Sequence, residues 1–310
     1  MAEERERVPT FPGCGKAVVL PVLGAPTADT HAHLDMLADP AGALVRAARA
    51  GVVLVCSIVD LTEEPEVTLD GLQGWIEAAA SELAHEPGSA TAPPEVRLIL
   101  GVHPHNASRY DSAAHYRLRD LVRSLPAGLV VGLGELGLDF HYDHSPRDAQ
   151  RDAFRRQLEL AHELDLPVTV HLREAHEEGL AIVAECGVPE AGCIIHCFTE
   201  GPETARRFLS LSGGVVISFA GPVTFGKADQ IREAVGVVPV ARILAETDSP
   251  FLAPAPYRGE ANEPAFVVLN VARIAEVSGR DPADAARTTL DNARRVFRIG
   301  DAGAAGGDAR

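Results

Sequence analysis

The chain has 310 residues, 46% hydrophobic and 23% charged, a balance that suits one large globular domain or two small ones. No window approaches 18 consecutive apolar residues, which excludes a helical membrane span, and the charged opening MAEERERVPT lacks the apolar core of a secretory signal. The net charge of −16, from 28 basic and 44 acidic residues, argues against a surface that grips long duplex DNA, because neutralising phosphates supplies most of that binding energy.

Taken in chain order, residues 1–25 hold Pro9, Pro12, Gly13, Gly15, Pro21 and Gly24 and are expected to form a flexible extension. From residue 26 short apolar runs alternate with amphipathic stretches. Strands are expected near 26–33, 52–58, 96–102, 129–135, 167–172, 192–198, 214–219 and 241–247; rich in Val, Ile and Leu, they read as strands buried on both faces. Helices are expected at 40–50, 65–85, 111–125, 146–165, 173–186, 201–211, 227–236, 263–278 and 281–298, with an exposed loop at 86–94. In the clearest helix, 146–165, Ser145 is placed to cap, Pro146 to take the first position, and Phe154, Leu158 and Ala161 to share a face. It must end before Pro167. The last residues, 299–310, are expected to be disordered. Eight strands alternating with helices over 26–298 point to a single (β/α)₈ TIM-like barrel of the α/β class. A doubly wound open sheet is the alternative, but it gives no reason for polar residues at so many strand ends.

Those strand ends carry the chemistry. The first delivers His31 and His33, which point the same way because they lie two apart. Two adjacent imidazoles are poor neighbours unless they share a cation. The fourth ends in Gly-Leu-Gly-Glu-Leu-Gly-Leu-Asp (132–139) and delivers Glu135, a carboxylate that needs a partner charge if buried. The fifth delivers His171, the sixth His196, and the eighth Asp248 in Glu-Thr-Asp-Ser-Pro. Each alone also suits a loop anchor. Together they make four histidines and two carboxylates at the barrel face where active sites sit. Such a set suits two divalent ions (Zn²⁺, Mn²⁺ or Mg²⁺), about 3.5–4 Å apart if Glu135 bridges. Five cysteines, odd in number and scattered, suit a reducing cytoplasm. Cys193 and Cys197 flank one short strand and read as plain buried thiols.

His-x-His after the first strand, Gly-Glu-Leu-Gly-Leu-Asp, His-x-Arg at 171–173, His-Cys-Phe at 196–198 and Glu-Thr-Asp-Ser-Pro-Phe-Leu-Ala-Pro resemble the TatD family of metal-dependent deoxyribonucleases, in order from about residue 26 to 298. Gly-Val-His-Pro-His (101–105), Pro256-Tyr257-Arg258-Gly259 and Asn262-Glu263-Pro264 add to the likeness. The resemblance implies a (β/α)₈ barrel, a dinuclear site and 3′-to-5′ exonuclease or related phosphodiesterase activity, with single-stranded DNA or frayed 3′ ends as the expected substrate. It places one ion among His31, His33, Glu135 and Asp248, the other among Glu135, His171 and His196. Two departures are visible. Ala261 follows Glu260 where a basic residue is common, and Leu172 stands where serine is common.

Phosphodiester cleavage needs an aligned nucleophile and neutralised phosphate oxygens. A metal-bridging hydroxide meets the first need, with Asp248 and Glu135 as catalytic groups and Asp248 orienting the hydroxide or taking its proton. Arg173, two residues beyond His171, is expected to clamp phosphate, with an ion pair as its alternative role. Arg258 and Tyr257 occupy a Pro/Gly-framed loop suited to substrate contact, and His103 and His105 follow the third strand beside the site. Glu246 reads as a buried acid behind the ligands. A competing reading is an amidohydrolase acting on an amide or ester of a small metabolite; a scaffold without activity should have lost ligands. Neither a membrane nor an obligate protein partner is expected.

Overall fold

In the computed structural model, which describes residues 11–12, 14–15, 17–85 and 92–300, eight parallel strands follow one another round a single sheet in chain order. They are β1 (Thr27–Ala32), β2 (Val52–Asp60), β3 (Glu95–Gly101), β4 (Val130–Asp139), β5 (Val168–Arg173), β6 (Cys193–Ile195), β7 (Val215–Phe219) and β8 (Ile243–Ala245). The sheet closes where Asp248 N–H donates to the His31 carbonyl (2.9 Å) and His33 N–H to that of Ser249 (2.8 Å). The fold is therefore the expected (β/α)₈ barrel, not an open sheet with two edges.

The helices between the strands are α1 (Pro40–Arg49), α2 (Glu66–Ala84), α3 (Ser112–Ser124), α4 (Arg147–Leu164), α5 (His176–Cys186), α6 (Pro202–Leu211), α7 (Asp229–Val237), α8 (Val267–Ser278) and α9 (Pro282–Val296). No described helix is long and apolar enough to cross a membrane. On α4 Phe154, Leu158 and Ala161 are fully buried, as their spacing requires. Its start differs from expectation. Pro146 is the N-cap and no side chain caps the helix; Ser145 Oγ instead donates to the His105 carbonyl (2.8 Å) and accepts from Ser108 N–H. The serine is drawn off to tether the loop after β3, which carries two site histidines.

All ten residues of β4 are buried, and its glycines have a steric cause. Gly137 has φ +142°, and a Cβ there would lie 2.0 Å from the His171 carbonyl oxygen. Only glycine lets β4 and β5 approach so closely, and this fixes Glu135 beside His171. At the seam of the barrel Asp29 accepts from Thr247 N–H (2.8 Å) and Thr247 Oγ1 (2.6 Å), tying β1 to the segment after β8. Burial raises the Asp29 carboxyl to about 8 against those hydrogen bonds.

Of the extension expected over 1–25, residues 1–10, 13 and 16 lie outside the described residues, and the remainder is held against the barrel. Phe11, Val18 and Leu23 are buried, Val19 N–H donates to Tyr257 Oη (2.7 Å), and Tyr257 Oη donates back to the Val19 carbonyl (3.1 Å). The described part of this segment forms no helix or strand, yet its apolar residues anchor it to the barrel wall. Most of the loop at 86–94 and of the tail at 299–310 lies outside the described residues.

Candidate metal centre

All six ligands expected from the strand ends converge at one mouth of the barrel. Glu135 is 4% exposed and sits at their centre, so every imidazole reaches it. One of its oxygens, Oε2, lies 3.2 Å from His31 Nε2 and 3.9 Å from His33 Nε2. The other, Oε1, lies 2.6 Å from His171 Nδ1 and 3.4 Å from His196 Nε2. Asp248 Oδ1 approaches His33 (3.5 Å), His31 (3.6 Å) and His196 (3.9 Å). Asp248 has φ +58°, a left-handed conformation that asparagine and aspartate tolerate best, and it turns the carboxylate back over the mouth.

The residues fit a metal ion. His31 is fully buried, its Nδ1 has no hydrogen-bond partner and its Nε2 faces Glu135 Oε2 at 3.2 Å without an aligned hydrogen bond, a costly state unless a cation takes up a lone pair. Among the described residues four trios are close enough to ligate: His31, Glu135 and His196; His31, His33 and Asp248; His103, Glu135 and His171; and His196, Cys197 and Glu246. The electrostatics agree. Burial lowers His171 and His196, but Asp139 and Glu135 lift His171 to about 9, and Glu246 with Glu135 lifts His196 to about 10. Burial raises the Glu135 carboxyl, yet the imidazoles of His196, His103 and His31 hold it well below the carboxylate range. Without an ion, the carboxylates hold protons on two imidazoles in a place suited to a dication.

Behind the ligands stand two acids that aim them. Glu246, fully buried, lies 2.8 Å from His196 Nδ1 and accepts from Cys197 N–H (2.6 Å), leaving Nε2 of that ring toward Glu135. Asp139 does the same for His171: its Oδ2 lies 3.2 Å from His171 Nε2 and 3.0 Å from His105 Nε2. Its Oδ1 accepts from the backbones of His141 and Tyr142. Cys197 lies against His196 and Glu246, but burial raises its thiol well above the ordinary range, so it stays protonated. All five cysteines are free.

Four of the six ligands, His33, Glu135, His171 and Asp248, line a cavity of about 480 Å³. Arg173 lines it, and its guanidinium lies 4.6 Å from the centroid of the Tyr142 ring with no acid paired to it. The ion pair considered as its alternative role is absent among the described residues. His103 and His105 also line the cavity. His103 reaches Glu135 itself (Nε2 to Oε1, 3.5 Å), while His105 turns to Asp139. The substrate role expected for Tyr257 is corrected: the ring is buried against Phe266, at 5.3 Å between centroids, and its hydroxyl is spent on Val19. Arg258 lies outside the lining and stacks on Phe225 at 4.5 Å.

Residues 28–298, spanning this barrel and every ligand, match the profile of the family described as TatD related DNase. The chain belongs to the TatD family of metal-dependent hydrolases. It is 44% identical over 170 residues to the uncharacterized metal-dependent hydrolase YabD of Bacillus subtilis, covering 55% of this chain and 66% of that one. It is 37% identical over 204 residues to the 3′-5′ ssDNA/RNA exonuclease TatD of Rahnella sp., covering 64% and 76%. The structure of YjjV, a TatD homologue from Escherichia coli K12, superposes with a TM-score of 0.73 at 27% identity, covering 88% of this chain and 98% of that one.

Asp139 of this TatD hydrolase was not among the site residues expected from the sequence. A signal was present: Glu135, Gly137 and Asp139 share one face of β4 at the strand period, so a second carboxylate had to follow the first into the mouth. Asp60 was also missed. It accepts from His103 N–H (2.8 Å) and Asn106 Nδ2 (3.2 Å) and holds the loop after β3 in place. Nothing local in the sequence marks that contact, which spans 43 residues.

Proposed function

We propose that this TatD hydrolase cleaves phosphodiester bonds at single-stranded nucleic-acid ends, using two divalent metal ions. The observation that carries the reading is Arg173. It is the only cation from lysine or arginine among the residues lining the cavity, and it has no carboxylate partner there. A guanidinium left unpaired in a mouth rich in acids is suited to an anion arriving with the substrate, and its fork matches phosphate oxygens. The split loyalty of Glu135, with one oxygen facing His31 and His33 and the other facing His171 and His196, supports a bridging role between two ions. Bound there, divalent ions would neutralise phosphate charge and make water nucleophilic near neutral pH.

The protein's own groups do the rest. Asp248, 14% exposed, reaches the cavity beside the ligand cluster and can take a proton from water. Glu246 and Asp139 keep the His196 and His171 rings from turning. Arg173, stacked on Tyr142, holds a phosphate in register with the cluster. The name of the Rahnella relative supports nucleic acid as the substrate.

Elemental analysis of the purified protein should find close to two metal ions per chain, and the loaded protein should shorten 3′-labelled single-stranded DNA. Arg173→Ala should lower kcat/KM about ten- to hundredfold, the loss expected when one charge-assisted bond is removed. Hydrolysis of small esters or amides with no cleavage of DNA or RNA would replace this reading with the amidohydrolase one.

A further inference from the structure

Phe251 stands apart from the other phenylalanines. Nine of the ten are buried or partly buried, whereas Phe251 is 50% exposed. It lines the cavity together with Met36 and Leu252, which are 45% and 39% exposed. Scattered exposed apolar side chains are ordinary, but three at the rim of one cavity, in a chain of net charge −16, form a patch that calls for a partner.

The patch is rigid. Phe251 N–H donates to the Asp248 carbonyl (2.9 Å), and its own carbonyl accepts from Asn262 Nδ2 (2.6 Å). Leu252 is held at φ +54°, and its carbonyl oxygen lies so close over Gly221 that a Cβ there would be 1.9 Å away. A loop pinned at each residue presents its ring in one place, so little entropy is lost when something stacks on it. The ring also has a defined neighbour: it lies edge-on to His33, at 5.8 Å between centroids and 76° between planes.

The barrel order sets what lies on either side. Phe251 and Leu252 follow β8 and Met36 follows β1, two strands joined at the seam, while Arg173 ends β5, on the far side of the closed sheet. The ligand cluster lies between them. A phosphodiester over the cluster, with its neighbouring phosphate toward Arg173, leaves the nucleoside on the other side against the apolar rim. Carboxylates of Asp35, Asp60 and Glu63 also line the mouth and repel a second phosphate on their part of it.

We propose that Phe251, flanked by Met36 and Leu252, is a base-stacking subsite that takes one unpaired nucleobase next to the scissile phosphate and so restricts the substrate to single strands. The proposal rests on the nuclease reading above. A base still paired in a duplex offers only its edge, so the face that Phe251 needs becomes free only in a single strand or a frayed end.

The test compares the metal-loaded parent with Phe251→Ala and Phe251→Trp. The substrates are single-stranded DNA with natural bases and strands carrying one abasic site at the last, second or third nucleotide from the 3′ end. Phe251→Ala should lower kcat/KM on natural DNA roughly five- to hundredfold, chiefly through KM, as removal of one stack does. One abasic position should cause a similar loss in the parent, and on that strand Phe251→Ala should lose nothing further. Phe251→Trp should keep the preference for a base, and bound metal should be equal in all three proteins. Equal cleavage of natural and abasic strands by the parent overturns the stacking subsite. An equal loss by Phe251→Ala on both strands also overturns it, since the variant then disturbs the site as a whole. No cleavage of any nucleic acid by the loaded parent removes the nuclease reading and the subsite together.

Discussion

Glu135 lies against four of the five other ligand side chains, and its neighbours are aimed by acids one step further back. Removing Asp139, like removing Glu246, leaves all six expected ligands in place. Asp139→Asn keeps the size of the side chain but takes away the charge that orients His171. Metal affinity should fall about ten- to hundredfold with the fold intact, the usual effect of losing such a partner. Titration of the metal-free variant with Mn²⁺, beside its circular dichroism, measures both, and an unchanged affinity would leave Asp139 a loop anchor only. The raised histidines set a pH dependence. In the metal-free protein His171 and His196 stand at about 9 and about 10 against an ordinary value of 6.5. Both are raised in the fold, so their protons stabilise it fully below about pH 6.5, and that contribution is lost as pH climbs through the two raised values. A metal ion must displace the same protons. Affinity should therefore rise from about pH 7 to about pH 9, and loading should acidify a weakly buffered solution. Calorimetric metal titrations in buffers of different ionisation heat would read the proton count, and a count of zero would contradict the assignment.

Among the elements, the loops contribute as much to the site as the strands. The loop after β3 brings His103 and His105, and Asp60 and Ser145 secure it at two points. The segment after β8 carries Asp248 and is clamped by Asn262 Nδ2, which donates to the Thr247 and Phe251 carbonyls. Within the 256–264 motifs Asn262 thus holds the metal-site loop, while Tyr257 holds the N-terminal segment. Tyr257→Phe removes the hydroxyl that bonds Val19 from both sides. Stability should drop by about 1 kcal/mol, a shift of about 2 °C in Tm for a domain of this size. Cleavage should not change. A thermal melt beside a rate measurement checks this, and a raised KM at unchanged Tm would return Tyr257 to the substrate.

At the scale of the whole molecule, the charge decides how substrate is held. With net charge −16 and Arg173 the sole lysine or arginine in the cavity lining, few phosphates can be neutralised at once. Each phosphate contact on a single strand contributes about 0.7 to the logarithmic salt slope. The slope of kcat/KM on single-stranded DNA should therefore be shallower than about −2, and Arg173→Ala should flatten it by about 0.7. A salt series on both proteins reads it directly. A steep slope in the parent would mean that a basic surface elsewhere takes part.

The amino-acid sequence alone determined the barrel and the meeting of six candidate ligands at its mouth. Strand burial, the spacing of His31 and His33, and the arrival of Glu135, His171, His196 and Asp248 at strand ends all follow from local periodicity, which is a property of neighbouring residues. What periodicity cannot carry is contact between segments far apart in the chain. The tertiary structure alone decided that Tyr257 turns to Val19, that Arg258 lies on Phe225, that Arg173 has no acid beside it, and that Phe251 stands at the rim. Tyr257 and Phe251 are similar aromatic residues in neighbouring loop turns, and nothing within a few residues of either tells which is covered. That depends on whether another part of the chain lies over the ring, as residues 17–25 do for one and as nothing described does for the other.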